Sequence, residues 1–192
     1  YYKIQQFILF AAFGLRDAIT PIVSFSHGMG DRKRIRAGVK YGMLYTLSIM
    51  AFGLILIEAF AQPFSSLFGL SGQTQSLCIS AMRIVSLSFL FAGANIAYQG
   101  IFQALDGGLE SLIISVCRQF LFVIPLAWEF SRLAAGNPDF TWLIWTTFPI
   151  AEGVTALIAF VLMKKIWKKL EKELAAVQCD EAGREMEEEK AV

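Results

Sequence analysis

This sequence predicts an all-α fold, a polytopic bundle of about five transmembrane helices, and three observations lead there. Of 192 residues, 56% are hydrophobic, 14% are aromatic and 17 are phenylalanine, while only 17% are charged, against about a quarter in soluble domains. The apolar residues gather into five stretches of the length that a spanning helix needs, about 20 residues. Charge is also segregated. It is scarce between residues 41 and 163 and dominant from Lys164 onward, so the formal net charge of +1 hides an asymmetry. That asymmetry speaks to membrane sidedness, with the lipid bilayer as partner, and not to nucleic acid.

The first stretch covers about residues 4–26 and is interrupted by Arg16 and Asp17. It lacks a basic leading region and a small-residue cleavage site, so it does not read as a signal peptide. The turn His27-Gly28-Met29-Gly30-Asp31 ends it. The second stretch is 39–61, closed by Gln62-Pro63, Gly69 and Ser71-Gly72. The third is 77–102, followed by Asp106-Gly107-Gly108; the fourth is 111–131, followed by Gly136-Asn137-Pro138-Asp139; the fifth is 141–163. Gly, Pro, Asn and Asp clusters between long apolar runs are turn chemistry. None of the runs alternates as a barrel strand does, and each is too long for one. Residues 1–170 therefore form one transmembrane lobe. Residues 171–192 form a charged tail, whose acidic end from Asp180 is expected to be partly disordered.

Lys and Arg in the loops set orientation. Arg32, Lys33, Arg34, Arg36 and Lys40 follow the first span, and Lys164, Lys165, Lys168 and Lys169 follow the fifth. Four spans separate the two clusters, so both fall on one side. That side is expected to be cytoplasmic, with the tail, in a multi-pass protein of the cell membrane. The chain opens on Tyr1, and five is an odd count for a transporter half. Both point to a longer protein with further helices upstream.

Most cofactor chemistry is excluded. Cys78, Cys117 and Cys179 have no metal-ligand spacing, and His27 is the single histidine. The expectation is no metal, no cofactor and reduced, structural cysteines. The Gly28-Met29-Gly30-Asp31 turn follows an apolar helix and has no Gly-Lys-Ser/Thr, so it is not a phosphate loop. No nucleophile or zinc motif occurs, and the protein is not expected to be an enzyme.

Charge inside hydrocarbon is costly, about 2.5–3.5 kcal/mol for a central Arg or Asp on insertion scales, and marks candidate sites. Arg16 and Asp17 sit near the middle of span one, with Thr20, Ser24 and His27 continuing the stripe from Arg16 at helical spacing. Neighbouring residues on a helix point about 100° apart, so each is expected to find a partner on another helix. Depth matching pairs Arg16 with Glu152 of span five, and Asp17 with Arg118 of span four. Two readings stay open for these charges: ion pairs that hold the bundle, or the lining of a substrate path. In span three, Ser88, Ala92, Asn95, Gln99 and Gln103 share a face. This stripe either hydrogen-bonds between helices or presents amides to a cavity. Arg83 and Glu58 lie near span ends and are read as snorkelling. Pro21, Pro125 and Pro149 fall inside spans, where kinks are tolerated.

These motifs also resemble a known family. Gly14-Leu15-Arg16-Asp17-Ala18-Ile19-Thr20-Pro21-Ile22-Val23-Ser24-Phe25, then Gly28-Met29-Gly30-Asp31-Arg32-Lys33-Arg34-Ile35, resembles the eighth helix and following loop of multidrug and toxic compound extrusion (MATE) transporters. Gln99-Gly100-Ile101-Phe102-Gln103-Ala104-Leu105-Asp106-Gly107 is similar to their tenth helix and its exit. Arg118-Gln119 with Ile124-Pro125-Leu126, and Phe148-Pro149-Ile150-Ala151-Glu152, resemble the eleventh and twelfth. The likeness runs in order over roughly residues 5–165. It implies twelve helices in two six-helix lobes, this chain being the carboxy-terminal lobe without its first helix and the amino-terminal six-helix lobe its partner. It implies alternating access and export of small organic cations and other xenobiotics against sodium or proton entry. The tenth-helix region here lacks the acidic residue of some sodium-coupled members, so coupling falls to Asp17, Glu152 or the other lobe. The residues expected on the substrate or ion pathway are Arg16, Asp17, Asn95, Gln99, Gln103 and Glu152. The rival readings are a lipid-linked saccharide flippase of the same superfamily, a membrane-embedded enzyme and a non-transporting membrane subunit.

Overall fold

The computed structural model describes the backbone of residues 2–136 and 140–191, and side chains as far as residue 176. Among the described residues, seven α-helices build five apolar rods. Helix α1 (Tyr2–Gly28) and α2 (Arg32–Leu67) are each one candidate span. Helices α3 (Gly72–Ser86) and α4 (Phe89–Ala104) make a third together, bent by 48°. Helix α5 (Gly108–Val116), a π-helical segment (Cys117–Phe122) and α6 (Val123–Gly136) make the fourth. Helix α7 (Trp142–Ala191) is the fifth, and its part up to Ala176 contains a stretch apolar enough to span. The expected acidic, partly disordered end from Asp180 lies outside the residues with described side chains.

Local sequence explains where the rods deviate. Proline clashes with the carbonyl four residues back and offers no N–H. In α2, Pro63 lies three residues after Phe60, the one residue there with non-helical angles (φ −115°, ψ 17°). In the fourth rod, Pro125 stands four residues after Leu121, inside the π-helical segment; a widened turn is one way to absorb that clash. The bend in the third rod falls at Leu87 and Ser88, with Ser88 Oγ turned back on the Val85 carbonyl at 2.6 Å. The stretch 77–102, read from the sequence as the third span, is thus carried by two helices.

Packing is arranged in three strata. One apolar block holds Leu9, Met50, Ile57, Met82, Phe89 and Ile96. The other holds Val23, Ile35, Ile101, Phe102, Ile114 and Ile166. Between them, at the middle of the rods, lie Arg16, Thr46, Asn95, Gln99 and Glu152, all buried or half-buried. Outside, Phe7, Phe10, Phe25, Phe52, Trp128 and Leu157 are exposed. An apolar exterior around a polar middle layer is the reverse of a water-soluble domain. It suits a bundle immersed in lipid.

The end of the lobe carrying residues 31–40, called the basic end here, is tied together by α7. Asp31 caps α2, accepting from the Lys33 and Arg34 amides at 3.0 Å each. Beyond the apolar part of α7, Glu171 pairs with Arg32, lies 4.0 Å from Arg36, and accepts from Trp167 Nε1 at 3.2 Å. Ile166 and Leu170 bury themselves beside Ile35. At the opposite end Glu58 meets Arg83 at 3.9 Å and accepts from Ser86 Oγ at 2.7 Å. These two residues therefore join α2 to α3, where the sequence suggested independent snorkelling.

Candidate functional site

The middle stratum holds two charge clusters, and their partners differ from those expected. Arg118 Nε donates to Glu152 Oε1 at 2.5 Å, with side chains only 15% and 11% exposed. Asn95 Nδ2 donates to Glu152 Oε2 at 2.8 Å and to the Glu152 carbonyl at 3.0 Å. One carboxylate thus links α4, the π-helical segment and α7. Arg118 is the second residue of that segment, so the π register sets the direction in which its guanidinium leaves the rod. Asn95 Oδ1 and Thr147 Oγ1 are buried and accept or donate nothing among the described residues.

The second cluster is local. Arg16 folds back on its neighbour: Nη2 and Nε both donate to Asp17 Oδ1, at 2.7 and 3.0 Å. The expected pairs Arg16–Glu152 and Asp17–Arg118 are thereby corrected. A 100° step between adjacent positions disfavours contact between short side chains, but Arg is long enough to bend across it. Arg16 is 27% exposed and lies 5.3 Å from the centroid of the Phe13 ring; Asp17 is 67% exposed. Asp17 Oδ2 carries no hydrogen bond among the described residues, so the carboxylate keeps one open oxygen at mid-rod on the surface of the lobe. Helix α4 lies close behind it. A Cβ on Gly100 would sit 2.5 Å from Arg16 Cγ and 2.8 Å from Thr20 Oγ1, so only glycine lets α4 approach the charged turn of α1 this closely.

The remaining expected site residues divide. Asn95 is fully buried and Gln99 nearly so, both pointing into the lobe. Gln103 is exposed and donates to Ser111 Oγ at 3.1 Å, joining α4 to α5. The amide stripe of span three is thus mainly an interior feature of this lobe. The sequence reading left out of its site set Arg118, which the structure places on Glu152, and Thr147 and Thr155, which flank that glutamate on α7. The threonines gave little signal, since a threonine can satisfy itself on a carbonyl of its own helix, as Thr155 Oγ1 does on Ala151 at 2.7 Å. Among the described residues no group of three His, Cys, Asp or Glu could hold a metal ion.

The model of the MatE family matches residues 1–128, two thirds of the chain. The chain belongs to the MatE family. Its fold is that of MATE transporters. It superposes with TM-score 0.80 on an inward-facing multidrug resistance MATE family transporter of the MOP superfamily, at 20% identity, covering 89% of this chain and 39% of that one. An outward-facing structure of such a transporter also matches at 0.80, with 19% identity, 89% and 38% coverage. A MOP superfamily transporter from Pyrococcus furiosus, described as having a binding pocket of reverse polarity and a different function, matches at 0.76 and 18% identity, covering 88% of this chain and 38% of that one. Among curated proteins, the FAD transporter of Shewanella oneidensis is 22% identical over 125 residues, 65% of this chain and 28% of that protein. The chain thus spans well under half the length of these MatE relatives. It is a membrane protein of a transporter family, built of four to five apolar membrane-spanning helices.

Proposed function

We propose that this chain is the carboxy-terminal lobe of a cation-coupled exporter of organic cations, and that the face of α1 carrying Asp17 lines its substrate path. The observation that carries this reading is the open Asp17 carboxylate. A carboxylate at the middle of a spanning helix is too costly to leave facing lipid. A surface position 67% exposed in the isolated lobe therefore belongs against water or a facing lobe. Its exposed oxygen outweighs the less exposed Arg16 guanidinium, so the wall offers negative charge first, which suits a cationic substrate. Glu152 is occupied by Arg118 and Asn95 and serves to hold α4, the π-helical segment and α7 together.

Alternating access follows from the same frame. The equal likeness to inward-facing and outward-facing relatives supports a lobe that rocks as a unit against its partner, the remaining lobe of the full-length protein. The basic end, with its Lys and Arg clusters, then faces the cytoplasm in the cell membrane, and sodium or a proton is the returning cargo. An anionic substrate is the second reading, favoured by the FAD transporter relative and by Arg16. Ethidium efflux from cells expressing the full-length protein, with and without sodium, tests the first reading against it. Dye export that stops when the ion gradient is removed supports it. Unchanged dye accumulation, together with movement of FAD or a lipid-linked saccharide, overturns it.

A further inference from the structure

The seam between α1 and α2 carries two apolar grooves outside the site just described. The first, about 660 Å³, lies toward the basic end and is lined by Ile19, Ile22, Phe25, Gly38, Tyr41 and Tyr45, with Arg34 at its rim. Ile22 is five residues from Asp17, about 140° around α1, so this groove opens away from the charged face. The second, about 540 Å³, occupies the other half of the seam, among Phe7, Ile8, Phe52 and Phe64, with Lys3 at its far rim.

Their dimensions and charge say what fits. From Arg34 to Tyr45 is eleven residues, about 16 Å along the helix, or roughly half the ~30 Å hydrocarbon core. The first groove is thus about one leaflet deep, with a cation at the end nearer the membrane surface. Apart from the Tyr41 and Tyr45 hydroxyls, the lining of the first groove below its rim offers little that is polar. Ser26 Oγ is already spent on the Ile22 carbonyl at 2.8 Å. At the rim, Arg34 shares its charge with Asp31 at 3.1 Å, while Lys33 beside it is exposed and has no carboxylate partner among the described residues. Residues 31–40 hold five cations and that one carboxylate; Glu171 of α7 meets Arg32 and Arg36, which still leaves this end net positive. A slot for one acyl chain below a net positive rim is the complement of an anionic phospholipid.

We propose that the groove between α1 and α2 at the basic end is a binding site for an anionic phospholipid, its acyl chain along Ile22, Phe25 and Tyr45 and its phosphate at Arg34 and Lys33. Ala37 lines the groove and is exposed, so a photoreactive p-benzoylphenylalanine there reports the occupant without disturbing buried packing. The experiment uses the full-length protein in vesicles of phosphatidylglycerol and phosphatidylethanolamine in equal parts, with adducts read by mass spectrometry. The expected result is preferential labelling of phosphatidylglycerol, falling roughly fivefold in Arg34→Gln, the weight of one basic side chain at an anionic surface. A peptide adduct from another segment of the protein overturns the proposal, as does equal labelling of the two lipids. Labelling unchanged by Arg34→Gln together with Lys33→Gln overturns it too. None of these outcomes depends on what the transporter exports.

Discussion

The two charge clusters at the middle of this lobe are built from the same residue types and differ in reach. Arg118 and Glu152 come from rods 34 positions apart in sequence, are almost wholly buried, and recruit Asn95 from a third helix. Arg16 and Asp17 are neighbours on one helix, and most of the Asp17 carboxylate is open. The buried cluster spends its charge inside the lobe, holding helices together. The open cluster satisfies only half of its carboxylate and leaves the rest for whatever faces α1. Burial alone thus divides the same chemistry into a pair spent inside the lobe and a pair open at its surface, the one proposed above for the substrate path.

Breaking the buried cluster should cost most. Glu152→Ala leaves Arg118 without a partner and should destabilise the full-length protein by about 3–5 kcal/mol, read from unfolding in detergent. Combining it with Arg118→Leu should recover much of that loss. A double variant as unstable as the single would show that the pair is not what holds these rods. Asn95→Leu comes next, at about 1.5–3 kcal/mol for a hydrogen bond to a charged acceptor; its effect should shrink when Glu152 is already absent. Gly100→Val tests the link between the clusters. Its side chain would collide with Arg16 Cγ, so it should cost about 1–3 kcal/mol and lower export as Arg16 shifts. Normal export with Gly100→Val would mean that the position of Arg16 is immaterial.

Much of this was legible in the sequence, and the reasons are physical. Five apolar runs of spanning length can form little but membrane helices, and the rods lie along those runs, the fifth beginning at Trp142. Arg16, Asp17 and Glu152 stood out because charge in hydrocarbon demands an explanation. Their partners did not follow, because depth along a rod is readable from residue count while rotation and side-chain reach are not. Arg16 and Glu152, matched by residue count, bond to Asp17 and to Arg118 instead of to each other. The π-helical segment was equally hidden. Pro125 announced a disturbance of that rod, yet three other in-helix prolines, Pro21, Pro63 and Pro149, carry no such segment. The break at Leu87 and Ser88 had no Pro or Gly to mark it. For the amide stripe, the sequence left interior bonding and cavity wall open. The structure turns Asn95 and Gln99 inward.

The smallest expected effect on stability carries the largest consequence for function. Asp17→Asn removes an exposed ion pair, worth about 1 kcal/mol or less, and so should leave unfolding nearly unchanged. Measured on the same preparation, ethidium export by the full-length protein should fall to background, because the open carboxylate is gone. Export at the wild-type rate with Asp17→Asn in a fully stable protein would contradict the assignment of this face of α1 to the substrate path.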